Sequence, residues 1–345
     1  MVERNYAADN FICGYFPFQW PADFDGKVGE RVLRSQLFYA MLAQALQQKA
    51  DISVRRSKNE MAVLTWQLGE IWPTGGWGSL EYATTGFTPG QVSGGRWKPL
   101  HFFLRDFLFR DLFVSCGADA RCVVKNDGLA PFPGRLTLGL LHIASGGLRP
   151  LRDVEVDLGP AGRADATTFV CAVASPKTKE ASCATWTAAL MASGTGCTVT
   201  DCILQVSLAA TNAATSPVFH SFELLVPPRN LTSLPKPNVT LRVLSPGEAS
   251  NNANANANAN VNANANAKGH THTSTLSHSH SLEPIPILVS SDETALFVGL
   301  VTLAQGQFSD NFFIMPKLSQ RQVFFLPLQE GQEPLLRSTL RADHL

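Results

Sequence analysis

The spacing of apolar positions changes character twice along the chain. Between about Gly29 and Lys49, Leu33, Leu37, Met41 and Ala45 recur at helical spacing, and Phe38, Leu42 and Leu46 widen that stripe. The pattern predicts a helix apolar nearly all round its middle, and such a helix must pack on more than one side. Met61 to Leu68 follows as a continuous apolar run with little polar alternation, which predicts a strand covered on both faces, as in parallel sheets. Trp72-Pro73 and the glycines at 75, 76 and 78 then mark a long loop. Leu100, Phe103, Leu104, Phe107 and Leu108 predict a second helix between Trp97 and Phe113. Helix, buried strand, loop and helix are the parts of a parallel α/β unit.

Beyond Phe113 the runs become short and rich in Val, Leu, Thr and Phe, broken at frequent intervals by Gly, Pro and Asp. Arg121 to Lys125, Arg135 to Ile143, Cys202 to Leu208, His220 to Val226 and Val239 to Leu244 are examples. Turn signals at this spacing with no helical period between them predict antiparallel β-sandwiches. Pro227-Pro228 and Pro235-Lys-Pro237 mark a junction between two of them. Residues 247 to 283 hold Asn-Ala repeats and then Thr, Ser and His, with almost nothing to bury, so this tract is expected to be disordered. It interrupts a continuing sandwich, because Ile285 to Val289, Ala295 to Thr302 and Gln322 to Leu326 again read as strands. A loop-tip insertion of this kind is tolerated, since closure entropy grows slowly with length.

Composition narrows the possibilities. A chain of 345 residues, 45% of them hydrophobic, can build two or three cores. A formal net charge of zero lacks the positive field of a nucleic-acid binder, which excludes nucleic acid as an expected partner. No stretch reaches the roughly 18 consecutive apolar residues of a membrane-spanning helix, so no membrane partner is expected, and Met1-Val-Glu-Arg-Asn5 has no apolar signal core. Six of the seven cysteines fall in close pairs, Cys116 with Cys122, Cys171 with Cys183 and Cys197 with Cys202, as in short disulfide-closed loops. Asn230-Leu-Thr and Asn238-Val-Thr are glycosylation acceptor patterns. Together these predict a mature protein in an oxidising compartment whose targeting sequence lies upstream of Met1. Buried free cysteines in a cytosolic protein are the competing reading.

The block from Trp66 to Tyr82, Trp-Gln-Leu-Gly-Glu-Ile-Trp-Pro-Thr-Gly-Gly-Trp-Gly-Ser-Leu-Glu-Tyr, is the most distinctive stretch. With Gly95-Arg-Trp-Lys-Pro-Leu-His101 it resembles the end of the catalytic barrel in the β-mannosidases of glycoside hydrolase family 2. Glu3-Arg-Asn-Tyr6 and Ser35-Gln-Leu37 also fit, and Gly306-Gln-Phe-Ser-Asp-Asn-Phe-Phe313 resembles the signature of that family's last β-sandwich. The resemblance implies a mixed α/β and all-β chain: the C-terminal part of a (β/α)8 barrel over residues 1–112, then two immunoglobulin-like β-sandwiches over 113–232 and 233–330. The second sandwich would contain the 247–283 insertion, and 331–345 would form a tail. It implies hydrolysis of terminal β-mannosides with retention, a lysosomal or secreted location, and a β-mannoside or related oligosaccharide as partner. Retention needs two carboxyl groups about 5–5.5 Å apart, one protonated and one ionised. The family's two glutamates would both lie before Met1. The chain is therefore expected to be inactive alone, as a truncated product, a partial gene reading or a non-catalytic remnant.

Trp66 falls towards the C-terminal end of the last barrel strand, the face where barrel active sites sit. Its indole would offer a flat apolar platform to the C–H face of a sugar, against the plainer reading of a core aromatic. Glu70 would bond sugar hydroxyls, fix the loop, or simply be solvated. Gly69 departs from the Asn that the family usually has there. Trp72 and Trp77 would extend the cleft or clamp the loop, whereas Trp97 and His101 read as packing residues. Glu81, in Ser79-Leu-Glu81-Tyr82, imitates the family's nucleophile segment but follows the Trp-Gln-Leu strand instead of preceding it, so it is read as a loop carboxylate. His270, His272, His278 and His280 form two His-x-His pairs without a Cys or carboxylate nearby, so no metal site is assigned. No Gly-rich phosphate loop or Ser-His-Asp order appears, and no cofactor is expected. His142 and His220 read as strand residues. The alternative function is a non-catalytic carbohydrate-binding or scaffold protein made of the two sandwiches and a barrel remnant.

Overall fold

The computed structural model describes residues 2–18, 29–60, 62–71, 76–82, 84–85, 92–173, 183, 185–211, 219–232, 234–245, 248 and 282–345. The Asn-Ala and His-x-His tract lies outside the described residues. Met1–Ala83 with Trp97–Pro235 form one compact unit, and Thr84–Arg96 with Lys236–Leu345 form a second.

In the first unit, helix α1 (Val2–Tyr15) packs on helix α2 (Glu30–Ser57). Helix α2 contains the predicted stripe and runs two turns beyond it, because Ile52 and Ser53 keep the same face buried. Arg55 and Arg56 close its last turn, where cations favourably oppose the helix dipole. Arg56 also donates to the carbonyls of Leu108 and Arg110 and pairs with Asp127 at 2.5 Å. The sequence period gave no sign of α1; Ile12 within it and Phe16 just after its end are deeply buried, so the helix is held by packing more than by a continuous stripe. The predicted second helix is shorter than its pattern. It begins as α3 (Pro99–Phe103), with Pro99 at the first helical position, and ends in a π-turn over Leu104–Leu108.

The expected buried strand at Met61–Leu68 is not formed, which corrects the parallel-unit reading. Residues 62–68 are extended but outside any ladder, and the isolated parallel bridge between Gly69 and Leu80 is the nearest pairing. Leu64, Trp66 and Leu68 are 94%, 75% and 65% exposed. An apolar run becomes a buried parallel strand only when flanking strands take its backbone groups and layers cover both faces. Among the described residues no strand lies alongside this one.

The rest of the first unit is antiparallel. Strands β3 (Leu112–Cys116), β4 (Arg121–Asn126) and β7 (Thr167–Cys171) form one sheet in the order β3-β4-β7. Strands β5 (Phe132–His142), β6 (Leu148–Leu158), β8 (Cys202–Ala210) and β9 (Phe219–Leu224) form the other in the order β6-β5-β8-β9. Along β5 the alternation is plain: Leu136, Leu138 and Leu140 are buried while Arg135 and Thr137 face solvent. Helix α4 (Trp186–Ser193) is capped by the Thr185 hydroxyl. The three cysteine pairs seen in the sequence are bonded to one another, and Cys116 and Cys122 sit opposite each other across β3 and β4.

The second unit holds a short hairpin of β1 (Thr84–Thr85) with β2 (Val92–Ser93) and two larger sheets. Strands β10 (Val239–Val243), β11 (Ile285–Ser291), β15 (Ser319–Pro327) and β13 (Gly306–Phe308) pair in that order. The other sheet runs β14 (Phe313–Met315), β12 (Ala295–Val301), β16 (Arg341–Asp343). The predicted strands on both sides of the Asn-Ala tract pair directly, β10 with β11, so the tract spans a connection within one sheet. Residues 331–345, expected as a tail, instead supply helix α5 (Glu333–Thr339) and β16, because Leu336 is buried and Leu345 exchanges backbone bonds with Leu296. In the Gly306 to Phe313 signature, buried Asn311 accepts from the Leu300 amide and donates to the Leu300 carbonyl, and Asp310 pairs with Arg321, which stacks on Phe313. The motif is a structural lock.

Candidate functional site

Residues 66–70 are held by a clasp made of the loop 76–80 and the start of α3. The Ser79 amide donates to the carbonyls of Gln67 and Leu68 at 3.1 and 2.9 Å, Leu80 donates to Leu68, and Glu70 returns a bond to Leu80. The Ser79 hydroxyl, fully buried, donates to the Leu68 carbonyl at 2.8 Å and sits 3.1 Å from His101 Nδ1. Gly78 is required by this closeness, since a Cβ there would lie 2.5 Å from the Glu70 nitrogen.

Glu70 is turned into the clasp. Its side chain is 3% exposed, and Oε1 accepts the Gly78 amide at 3.1 Å and the Lys98 ammonium. A carboxylate so committed is neutralised and fixes the loop. Trp66 does the opposite: its indole stands 75% exposed on a backbone that is otherwise tied down. Trp77 is partly exposed, packs edge-on against Phe11 at 6.3 Å, and gives its carbonyl to Gln44. Trp72 lies outside the described residues. Trp97 stacks on His101 at 4.3 Å and under the Arg105 guanidinium at 5.1 Å, a packing arrangement. Burial, and then the charge of Arg105, hold His101 below the ordinary imidazole range. Sequence reasoning gave Lys98 and Ser79 no role; Lys98 stands just before Pro99 at a helix start, a position that carries no signal of its pairing with Glu70 28 residues earlier.

Two other groupings stand apart from this clasp. A cavity of about 480 Å³ opens between α2, the β3–β4 hairpin and β9, with Lys49 and Glu223 paired at 2.5 Å on its wall. His142, Asp201 and Cys202 bring ligand-type atoms within 4.8 Å of one another, but the Cys202 sulfur is bonded to Cys197, which leaves too few donors for a closed metal site. Among the described residues no helix is long and apolar enough to cross a membrane.

Comparison with known proteins fits this arrangement. A profile of the mannosidase immunoglobulin-fold domain matches residues 275–345, which gives the second unit an immunoglobulin-like identity. β-Mannosidase of Capra hircus is 36% identical over 86 residues, 22% of this chain and 8% of the goat protein. β-Mannosidase A of Aspergillus niger is 27% identical over 104 residues, 30% of this chain and 10% of its own length. The crystal structure of β-D-mannosidase from Dictyoglomus thermophilum matches with a TM-score of 0.58 at 16% identity, covering 98% of this chain and 32% of that one. The chain thus spans about a third of the solved relative, and its matched stretches span a tenth or less of the curated ones. These likenesses support a glycoside hydrolase-like protein, largely β-sheet with an immunoglobulin-like domain.

Proposed function

We propose, for a chain similar to the C-terminal portion of the β-mannosidases of glycoside hydrolase family 2, that residues 1–112 are the end of a (β/α)8 glycosidase barrel and that Trp66 forms one wall of its sugar pocket. On this reading the substrate is a terminal β-mannoside cleaved with retention, residues 113–232 and 233–345 are the accompanying sandwiches, and the protein is lysosomal or secreted. In this reading the clasped segment supplies binding surface, and none of its carboxylates is given a catalytic role. The observation that carries the proposal is the indole of Trp66, three-quarters exposed on a firmly clasped segment. An exposed aromatic on a rigid backbone offers a flat apolar face at little entropic cost. Glu70 acts by fixing that backbone through Lys98, and Trp77 extends the apolar surface.

Tryptophan emission of the purified chain titrated with a β-mannoside tests this. A saturable change that disappears in Trp66→Ala and persists in Trp77→Phe is expected; a change indifferent to Trp66→Ala overturns the wall. Release of chromophore from a chromogenic β-mannoside by the chain alone would give its own carboxylates a catalytic role and overturn a purely binding part for the clasp. The engagement of Glu70 with Lys98 and the Gly78 amide, a loop-fixing role, also suits a second reading, a non-catalytic carbohydrate-binding or scaffold protein. An open frame upstream of the Met1 codon encoding further barrel strands and two suitably placed glutamates favours the enzyme, and unrelated sequence there favours the scaffold.

A further inference from the structure

We propose that Asn238 is the acceptor of an N-linked glycan, and that the glycan covers the open edge of the larger sheet of the second unit. Asn238-Val239-Thr240 satisfies the acceptor pattern, and both Asn238 and Thr240 are exposed while Val239 between them is half-buried. Strand periodicity therefore sends the acceptor Asn238 and the recognised Thr240 outward on one face. The Asn238 amide N–H donates to Asp292 Oδ1 at 2.7 Å, which fixes the backbone without using the side-chain carboxamide. Three disulfides in the same chain point to an oxidising compartment, where the modifying machinery also operates.

The other acceptor pattern makes a useful contrast. Asn230 is exposed, but it lies in a 3-10 turn with its N–H on the Pro227 carbonyl, and the Thr232 hydroxyl is engaged with the Thr200 carbonyl at 3.3 Å. Asn238 is the acceptor with both side chains presented. The chemistry is a glycosyl transfer: the carboxamide nitrogen bonds to the anomeric carbon of a lipid diphosphate oligosaccharide, the bond from that carbon to the diphosphate oxygen breaks, and the nitrogen loses a proton. The donor comes from the host secretory pathway.

Location gives the glycan a physical role. Strand β10 is the outer member of the order β10-β11-β15-β13, so among the described residues its far side has no ladder partner. Open edges of this kind template unwanted pairing unless they are blocked. Arg337 already takes the Val243 carbonyl at the end of β10, at 3.0 Å, and a glycan at Asn238 would shield the beginning.

The test is to secrete the full chain from glycosylating eukaryotic cells behind a signal peptide, then map peptides after peptide N-glycosidase treatment in isotope-labelled water. Conversion of Asn238 to labelled Asp is expected, with loss of one mobility step in Asn238→Gln and in Thr240→Ala. Because Thr240→Ala keeps the asparagine and Thr240→Ser keeps the pattern, the pair remains informative if Asn238→Gln is poorly secreted. Secreted, disulfide-bonded protein with unmodified Asn238 overturns the site. For the covering role, enzymatic removal of the glycan should raise self-association severalfold in light scattering, and unchanged association refutes it.

Discussion

Residues 62–68 and residues 295–301 are both extended, both apolar and close in length, yet they live in opposite surroundings. Strand β12 is flanked by β14 on one side and β16 on the other, and every residue from Ala295 to Leu300 is buried. The 62–68 segment has a clasp at one end and, among the described residues, no ladder on either edge, and its Leu64, Trp66 and Leu68 stand in solvent. Apolar character is shared; neighbours are not. Burial is a property of the assembly around a strand, and the same composition is core in one place and an exposed contact surface in another.

The sharpest way to break this comparison is to remove apolar volume from each region. Phe325, fully buried on β15 against Phe308 at a centroid distance of 5.4 Å, should cost about 3–5 kcal/mol as Phe325→Ala, read by hydrogen exchange of the β11 and β15 amides. Leu64→Ser should stay within about 0.5 kcal/mol by the same measure applied to residues 62–70, and should reduce self-association. Equal losses at the two sites would mean that 62–68 is covered after all.

Next in size is the clasp. Lys98→Met leaves Glu70 buried without its cation, and removing one partner of a buried pair costs about 3 kcal/mol. The loss should be local, appearing as faster exchange at Ser79 and Leu80 and as altered Trp66 emission, with the second unit unchanged. Glu70→Gln combined with Lys98→Met should recover much of the loss, since no uncompensated charge then remains. No recovery would show that the pair does more than neutralise itself.

What could be read from the sequence follows the same physics. The sandwich strands were legible because one-sided burial writes an alternation into them, as in Leu136, Leu138 and Leu140, and α2 was legible from its wide stripe. Strand β6 was not among the strands read, because Arg149, Arg152, Asp153, Glu155 and Asp157 give it the look of a polar loop; it is an outer strand whose buried residues are Val156 and Leu158. Helix α1 was missed for lack of a stripe. At the candidate site, Trp66 and Glu70 are distinctive in the sequence, but their orientations, one outward and one inward, depend on Lys98 and Ser79, which are 28 positions from Glu70 and 11 from Leu68 respectively. Sequence spacing carries no record of such pairings. The apolar run at 61–68 misled for the reason given above, since periodicity reports what a strand could bury and is silent about what is there to cover it.

The smallest expected effect is a pH dependence confined to the clasp. His101 is half-buried between Trp97 and Ser79, and burial with the neighbouring Arg105 lowers its pKa below 6.5. A folded pKa below the unfolded value means that the unfolded clasp binds protons more readily, so its contribution is complete above pH 6.5 and is lost as pH falls through the folded pKa. The Ser79 hydroxyl donates to Leu68, so the Nδ1–H of the neutral ring donates to Ser79, and the added proton goes to Nε2, where desolvation and Arg105 oppose it. Exchange protection at Ser79 and Leu80 should therefore decline on acidification below pH 6.5 while the β12 amides keep theirs. His101→Asn, which keeps a donor but cannot titrate, should flatten the profile. A clasp whose protection is the same at pH 7 and pH 5 in the unaltered protein would show that the imidazole is not held neutral by its surroundings, and the contrast between a tied segment and a buried strand would then rest on packing alone.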